Sequence, residues 1–146
     1  MTEIGQKPVI LKKEVPGFAV NRIQYALINE CYRMFQNGIM SVEDIETAMC
    51  DGLGLRYAFV GALETCHLNA EGMLDYCNRY SEGIYKVSET FGPNPMMEGE
   101  TLKKLNEEIC KICPLEKIPE RRQFREARLA DLSQLKKTLD EREKGH

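Results

Sequence analysis

The longest run of periodic apolar positions in the chain starts at Cys66 and continues through Ala70, Met73, Cys77, Tyr80, Ile84, Val87 and Phe91. Steps of four and three alternate along it, which predicts one apolar seam on a helix of about seven turns ended by Gly92-Pro93. Four further helices follow from the same reading. Pro16 stands where a helix opens, since its missing N–H costs nothing in a first turn. Val20, Ile23, Leu27, Cys31 and Met34 then stripe that helix to Asn37, with Gly38 as the residue that ends it. Ser41 to Asp44 resembles a capping box, and Val42, Ile45 and Met49 form the buried stripe of a short second helix stopped by Gly52 and Gly54. Leu55 to Thr65 is compact and mostly apolar, with Arg56 as its only base. Leu102, Leu105, Ile109 and Ile112 mark a helix that stops before Pro114, and Phe124, Leu132, Leu135 and Leu139 mark a last one from about Pro119.

Only Lys7 to Val15 departs from this pattern. It is short and β-branched and reads as an extended strand, yet no second strand is offered for it to pair with. The expected architecture is therefore all-α: five or so amphipathic helices over residues 16–146, the seamed helix at the centre, preceded by an extended segment over residues 1–15. The seam is wide enough for a core or for a subunit contact, and the sequence alone does not choose between them.

With 146 residues, 42% hydrophobic and 29% charged, the chain is one globular unit rather than a disordered tail. A net charge of −3 gives no global field to gather nucleic acid or anionic lipid, and no run approaches the ~20 apolar residues that span a bilayer. The polar start lacks the apolar stretch of an export signal, so a cytoplasmic chain with six thiols is expected. With His146 at the terminus, His67 is the one imidazole placed to act as acid or base.

The chemical motifs are weak. Cys110 and Cys113 have Cys-x-x-Cys spacing, but two more ligands are wanting for zinc and a βαβ context for thioredoxin-like chemistry; burial on a helix face suits them better. Cys66 and His67 are neighbours on a helix, pointing about 100° apart, so a capping or contact role fits better than a nucleophile and base. Gly52 and Gly54 lack the rest of a phosphate-binding loop, so no cofactor or metal site is expected in this chain. The mixed charges from Glu116 to Lys144 read as a solvated helix face with i,i+4 pairs. Asn21 stands out. A carboxamide inside an apolar helix needs partners for its donors and acceptor, either from a neighbouring loop or from a ligand.

Val15-Pro-Gly-Phe-Ala-Val-Asn-Arg22 resembles the entry to the C-terminal helical domain of the 3-hydroxyacyl-CoA dehydrogenase superfamily, whose motif reads Gly-Phe-x-x-Asn-Arg. Gly52 to Gly61 and Leu63 to Ile84 look specifically like its lambda-crystallin, or L-gulonate 3-dehydrogenase, branch. The likeness covers nearly the whole chain and loosens after about Pro93. It implies a 6-phosphogluconate dehydrogenase C-terminal-like helical domain. The segment up to Val15 would be the last strand of a dinucleotide-binding Rossmann domain absent from this chain, and that domain would hold NAD and a catalytic His-Glu pair.

By the same resemblance, Asn21 matches the family asparagine that reaches the catalytic cleft near the reacting oxygen, and the domain pairs into a homodimer. Arg56-Tyr-Ala-Phe stands where the acyl-CoA members have Gly-Pro-Phe, and Ala62 replaces an expected proline. Arg56 could hold the carboxylate of a small hydroxyacid substrate, pair with an acid such as Glu64, or face a neighbouring subunit. The alternatives left open are an acyl-CoA substrate for the intact enzyme and a stand-alone helical interaction module. The isolated chain is expected to be inactive.

Overall fold

A computed structural model describes residues 8–145. Every regular element among them is helical: α1 (Val20–Gln36), α2 (Val42–Thr47), a π-helical turn (Ala48–Gly54), α3 (Leu55–Tyr57), α4 (Ala62–Leu68), α5 (Met73–Glu89), α6 (Gly99–Ile112), a 3₁₀ turn (Leu115–Lys117) and α7 (Ile118–Lys144). The all-α expectation holds. The strand expected from Lys7 does not form over residues 8–15, which are irregular with a bend at Lys12 and Lys13. A strand alone leaves a row of N–H and C=O groups unpaired, so nothing stabilises it here. Lys7 itself lies outside the described residues.

The first helix starts four residues later than its proline suggests. Pro16 and Gly17 instead occupy the middle of a turn closed by the Phe18 N–H, which donates to the Val15 carbonyl at 3.1 Å. Gly17 at φ +81° and Phe18 at φ +51° are both left-handed, a path that Pro followed by Gly permits. From Val20 the stripe winds as expected to a Schellman end. Gly38 (φ +66°) donates to the Phe35 carbonyl at 3.0 Å, and Ile39 to the Met34 carbonyl at 2.9 Å. Ser41 then caps α2: its Oγ accepts from the Asp44 N–H at 3.1 Å and donates to Asp44 Oδ2 at 2.7 Å.

Gly52 and Gly54 do not stop the second helix. The chain instead widens into the π-helical turn and runs on through α3. Gly54 makes the wide turn possible, because a Cβ there would sit 2.9 Å from the Met49 carbonyl oxygen five residues back.

The seven-turn helix is also divided. Asn69 caps α4, and Gly72 (φ +103°, ψ 172°) turns the chain before α5 starts at Met73. Such dihedrals are open almost only to glycine. His67 Nδ1 accepts from the Met73 N–H at 3.0 Å, so this imidazole caps the start of α5. Asp75 closes the corner from the other side, accepting from the Glu71 N–H at 3.0 Å and from Arg79 Nε at 2.9 Å. The bond from Arg79, with that backbone N–H, holds the Asp75 carboxyl below its ordinary value.

Among the described residues only Tyr32 of α1 and Val42 and Ile45 of α2 are buried, all three lining one cleft, so the core is small and sits there, with α6 packed on α2. The seamed helix is not its centre. α5 packs mainly on α4, and Tyr80, Ile84 and Val87 on its seam remain exposed. Gly72→Ala is expected to cost about 1–3 kcal/mol, because the new methyl demands a dihedral it cannot adopt beside the His67 ring, whose Cε1 would lie 3.5 Å away. Chemical denaturation of the two proteins checks this.

Candidate functional site

The Gly17–Phe18 turn places Asn21 in the first turn of α1 rather than the second. Its side chain is exposed and has no hydrogen-bond partner among the described residues, so neither the burial nor the internal partner expected from sequence is present. The residue lines a shallow concavity of about 210 Å³ whose other walls are Val9, Leu11, Gly17, Phe18, Ala19 and Val20. An apolar rim with one free carboxamide can orient a small ligand by a single donated or accepted hydrogen bond. The rim depends on two consecutive left-handed residues, one of them the bulky Phe18, which is the kind of local strain that gathers at functional positions.

Arg56 lies in α3, one residue past Leu55 and directly after the π-helical turn, and is exposed. No ion pair joins it to Glu64 or to another acid among the described residues. It does not line the concavity at Asn21. The chain therefore presents a carboxamide and a guanidinium on separate elements, both open to groups from outside.

The other candidates have structural partners. His67 caps α5. Cys110 and Cys113 are free thiols, Cys110 directed to Asn106 Oδ1 at 3.9 Å and Cys113 to the Pro114 carbonyl at 3.8 Å. Gly54 serves the π-helical turn. No helix among the described residues is long and apolar enough to cross a membrane.

Residues 17–108 match the family model described as 3-hydroxyacyl-CoA dehydrogenase, C-terminal domain. The chain belongs to that family. It is 49% identical to lambda-crystallin of Oryctolagus cuniculus over 141 residues, which is 95% of this chain and 44% of the rabbit protein. It is 51% identical to the lambda-crystallin homolog of Homo sapiens over 138 residues, 93% of this chain and 43% of the human one. L-carnitine dehydrogenase of Pseudomonas sp is 31% identical over 110 residues, 74% of this chain and 33% of that enzyme. The chain thus spans less than half the length of these curated relatives.

This 3-hydroxyacyl-CoA dehydrogenase C-terminal domain also holds a larger cleft that the sequence did not point to. Between α1, α2 and α6 about 570 Å³ is enclosed by apolar walls including Leu27, Ile28, Ile45, Met97, Leu105 and Ile109. Burial pushes the Cys31 thiol on its wall up from the ordinary value, and the nearby Glu46 carboxylate adds to the effect, which disfavours the thiolate. Tyr32 is 4% exposed, and its hydroxyl has no hydrogen-bond partner among the described residues. The available signal was the four-residue step from Ile28 to Tyr32, a second apolar row beside the one through Leu27 and Cys31. Removing an unpaired buried hydroxyl relieves a desolvation cost. Tyr32→Phe should therefore leave stability unchanged or raise it by about 1 kcal/mol, and a thermal or urea melt that shows a clear loss would mean that the hydroxyl has a partner.

Proposed function

We propose that this domain is the C-terminal part of an NAD-dependent 3-hydroxyacid dehydrogenase of the L-gulonate 3-dehydrogenase type, where it gives one wall of the substrate cleft and the dimer contact. The observation that carries the reading is near-half identity to the lambda-crystallins over almost this whole chain and less than half of theirs. In the intact protein a separate N-terminal domain would hold NAD, whose chemistry is hydride acceptance from the substrate's C3, and would supply the His-Glu pair that takes the hydroxyl proton. The isolated chain is inactive by this account. The six free thiols suit a cytoplasmic protein.

In this scheme Asn21 donates to the reacting oxygen from the lip of its concavity, its carboxamide being free to do so. Arg56 takes the substrate carboxylate in a bidentate pair, since no acid among the described residues satisfies it. A free carboxylate agrees with the relative named for L-carnitine, itself a 3-hydroxy acid.

The homodimer is supported by surface area. The chain exposes 12457 Å², against roughly 7,600 Å² for a folded monomer of its mass. The excess is larger than the ~1,000–2,500 Å² per partner that an obligate dimer covers, so a second copy and the remainder of the protein together account for it. The open seam of α5, with Tyr80, Ile84 and Val87 exposed, offers an apolar face for that contact.

Asn21→Ala in the intact enzyme should lower kcat by about 10²-fold with little change in KM, because its bond tightens as charge develops on the oxygen. Arg56→Met should instead raise KM for an acid substrate by roughly tenfold or more and spare an uncharged analogue. Steady-state kinetics on L-gulonate and on a neutral 3-hydroxy compound separate the two roles. Equal losses on both substrates would remove Arg56 from the site. Analytical ultracentrifugation of the intact protein at micromolar concentration should give twice the monomer mass, and a monomer would refute the dimer.

A further inference from the structure

The first half of α7 concentrates positive charge against the balance of the chain. Lys117 to Arg128 holds five of the 20 lysines and arginines and only two of the 23 acids, in a chain of net charge −3. The sequence reading took this stretch for a solvated face with i,i+4 pairs. Instead, Arg121, Arg122, Arg125 and Arg128 together line one groove of about 530 Å³, whose facing wall includes Glu46, Cys50 and Cys113.

The ion pairs in this stretch do not neutralise it. Lys117 pairs with Glu120 at 3.1 Å and Arg125 with Glu126 at 2.7 Å, while Arg128 only approaches Asp131 at 3.9 Å. Arg121 and Arg122 pair with no acid among the described residues, and Glu46, the one carboxylate on the groove wall, pairs with none of the four. Two guanidinium groups are held over the Phe124 ring, Arg121 at 4.4 Å and Arg128 at 5.3 Å from its centroid. Stacking restrains these long side chains with their N–H forks still available. Arg121 and Arg125, Arg122 and Arg125, and Arg125 and Arg128 stand three or four residues apart, where like charges weaken a helix. An anion in the groove relieves that repulsion.

We propose that this groove is a binding site for a small polyanion carrying two or more phosphate groups. Four arginines line the groove, one of them paired with Glu126, against a single carboxylate on its wall, which calls for more negative charge than a monocarboxylate brings, and the fork of arginine matches phosphate oxygens in pairs. The volume is that of a small-molecule site, and the charge is confined to one groove rather than laid along a track, which disfavours a nucleic-acid strand. The site is independent of the dehydrogenase reading above, since neither Asn21 nor Arg56 lines it.

Inorganic pyrophosphate is the probe. Isothermal titration of the intact protein at physiological ionic strength, with saturating NAD to occupy any dinucleotide site elsewhere, should give one saturable site per chain. The R121Q/R122Q double variant should weaken it by roughly tenfold or more at an unchanged melting temperature. R121K/R122K, which keeps the charge and loses the fork, should fall between the two. R142Q, in the last turn of the same helix, should bind as the wild type does. No saturable binding, or an isotherm that R121Q/R122Q leaves unchanged, would overturn the proposal. So would a single-stranded oligonucleotide binding more tightly than pyrophosphate and losing affinity in the same variant, which would make the groove a nucleic-acid surface.

Discussion

The small core to which α1 and α2 both contribute is the constraint on which the rest of the domain depends. Tyr32 comes from the first helix and Val42 and Ile45 from the second, and these are the buried residues among those described. Two local devices bring them together: the Schellman end at Gly38 and the Ser41 cap, only three residues apart, fix the angle at which the chain reverses. With so little surface removed from water, hydrophobic burial within one chain is small for 146 residues. Such a domain behaves as part of a larger folding unit, its outlying helices steadied by whatever covers them.

Elements announced by local chemistry were legible in the sequence. Gly38, Ser41 with Asp44, and the stop before Pro114 act within one turn of themselves, and each sits where the pattern placed it. The largest misreading comes from an apolar period that runs across a backbone break. Cys66, Ala70 and Met73 keep helical spacing through the Asn69–Gly72 corner, and only the dihedral of Gly72 and the reach of His67 reveal the interruption. Pro16 misled for another reason, because proline suits the second position of a turn as well as it suits a helix start. The π-helical turn was hidden, since Gly52 and Gly54 read as helix stops until the approach of Met49 is seen.

Candidate chemistry was legible to a different degree. Asn21 was singled out by the mismatch of an amide with its apolar neighbours, and the fold puts that amide at an open lip for a reason that mismatch did not contain, the left-handed pair before it. Arg56 was conspicuous as the one base in an apolar stretch, and that no acid among the described residues pairs with it is visible only in three dimensions. The arginines of α7 looked ordinary because alternating signs in a sequence suggest mutual neutralisation. Whether charges cancel depends on which face of the helix each occupies and on what lies opposite.

The widened turn over Ala48–Gly54 also sets an angular phase. A π-helical turn accommodates one residue more than an α-turn, and each residue of an α-helix advances about 100° around its axis. Everything after Gly54 is therefore rotated by that increment from where an unbroken helix would aim it, and Arg56, two residues on, takes the whole of the rotation. A chain lacking a single residue between Ala48 and Gly54 could close into an ordinary α-helix and aim the same guanidinium where it points now, whereas these same residues wound as an α-helix would aim it about 100° away. The winding of this turn, π or α, is thus a means of re-aiming the side chain without changing the side chain itself.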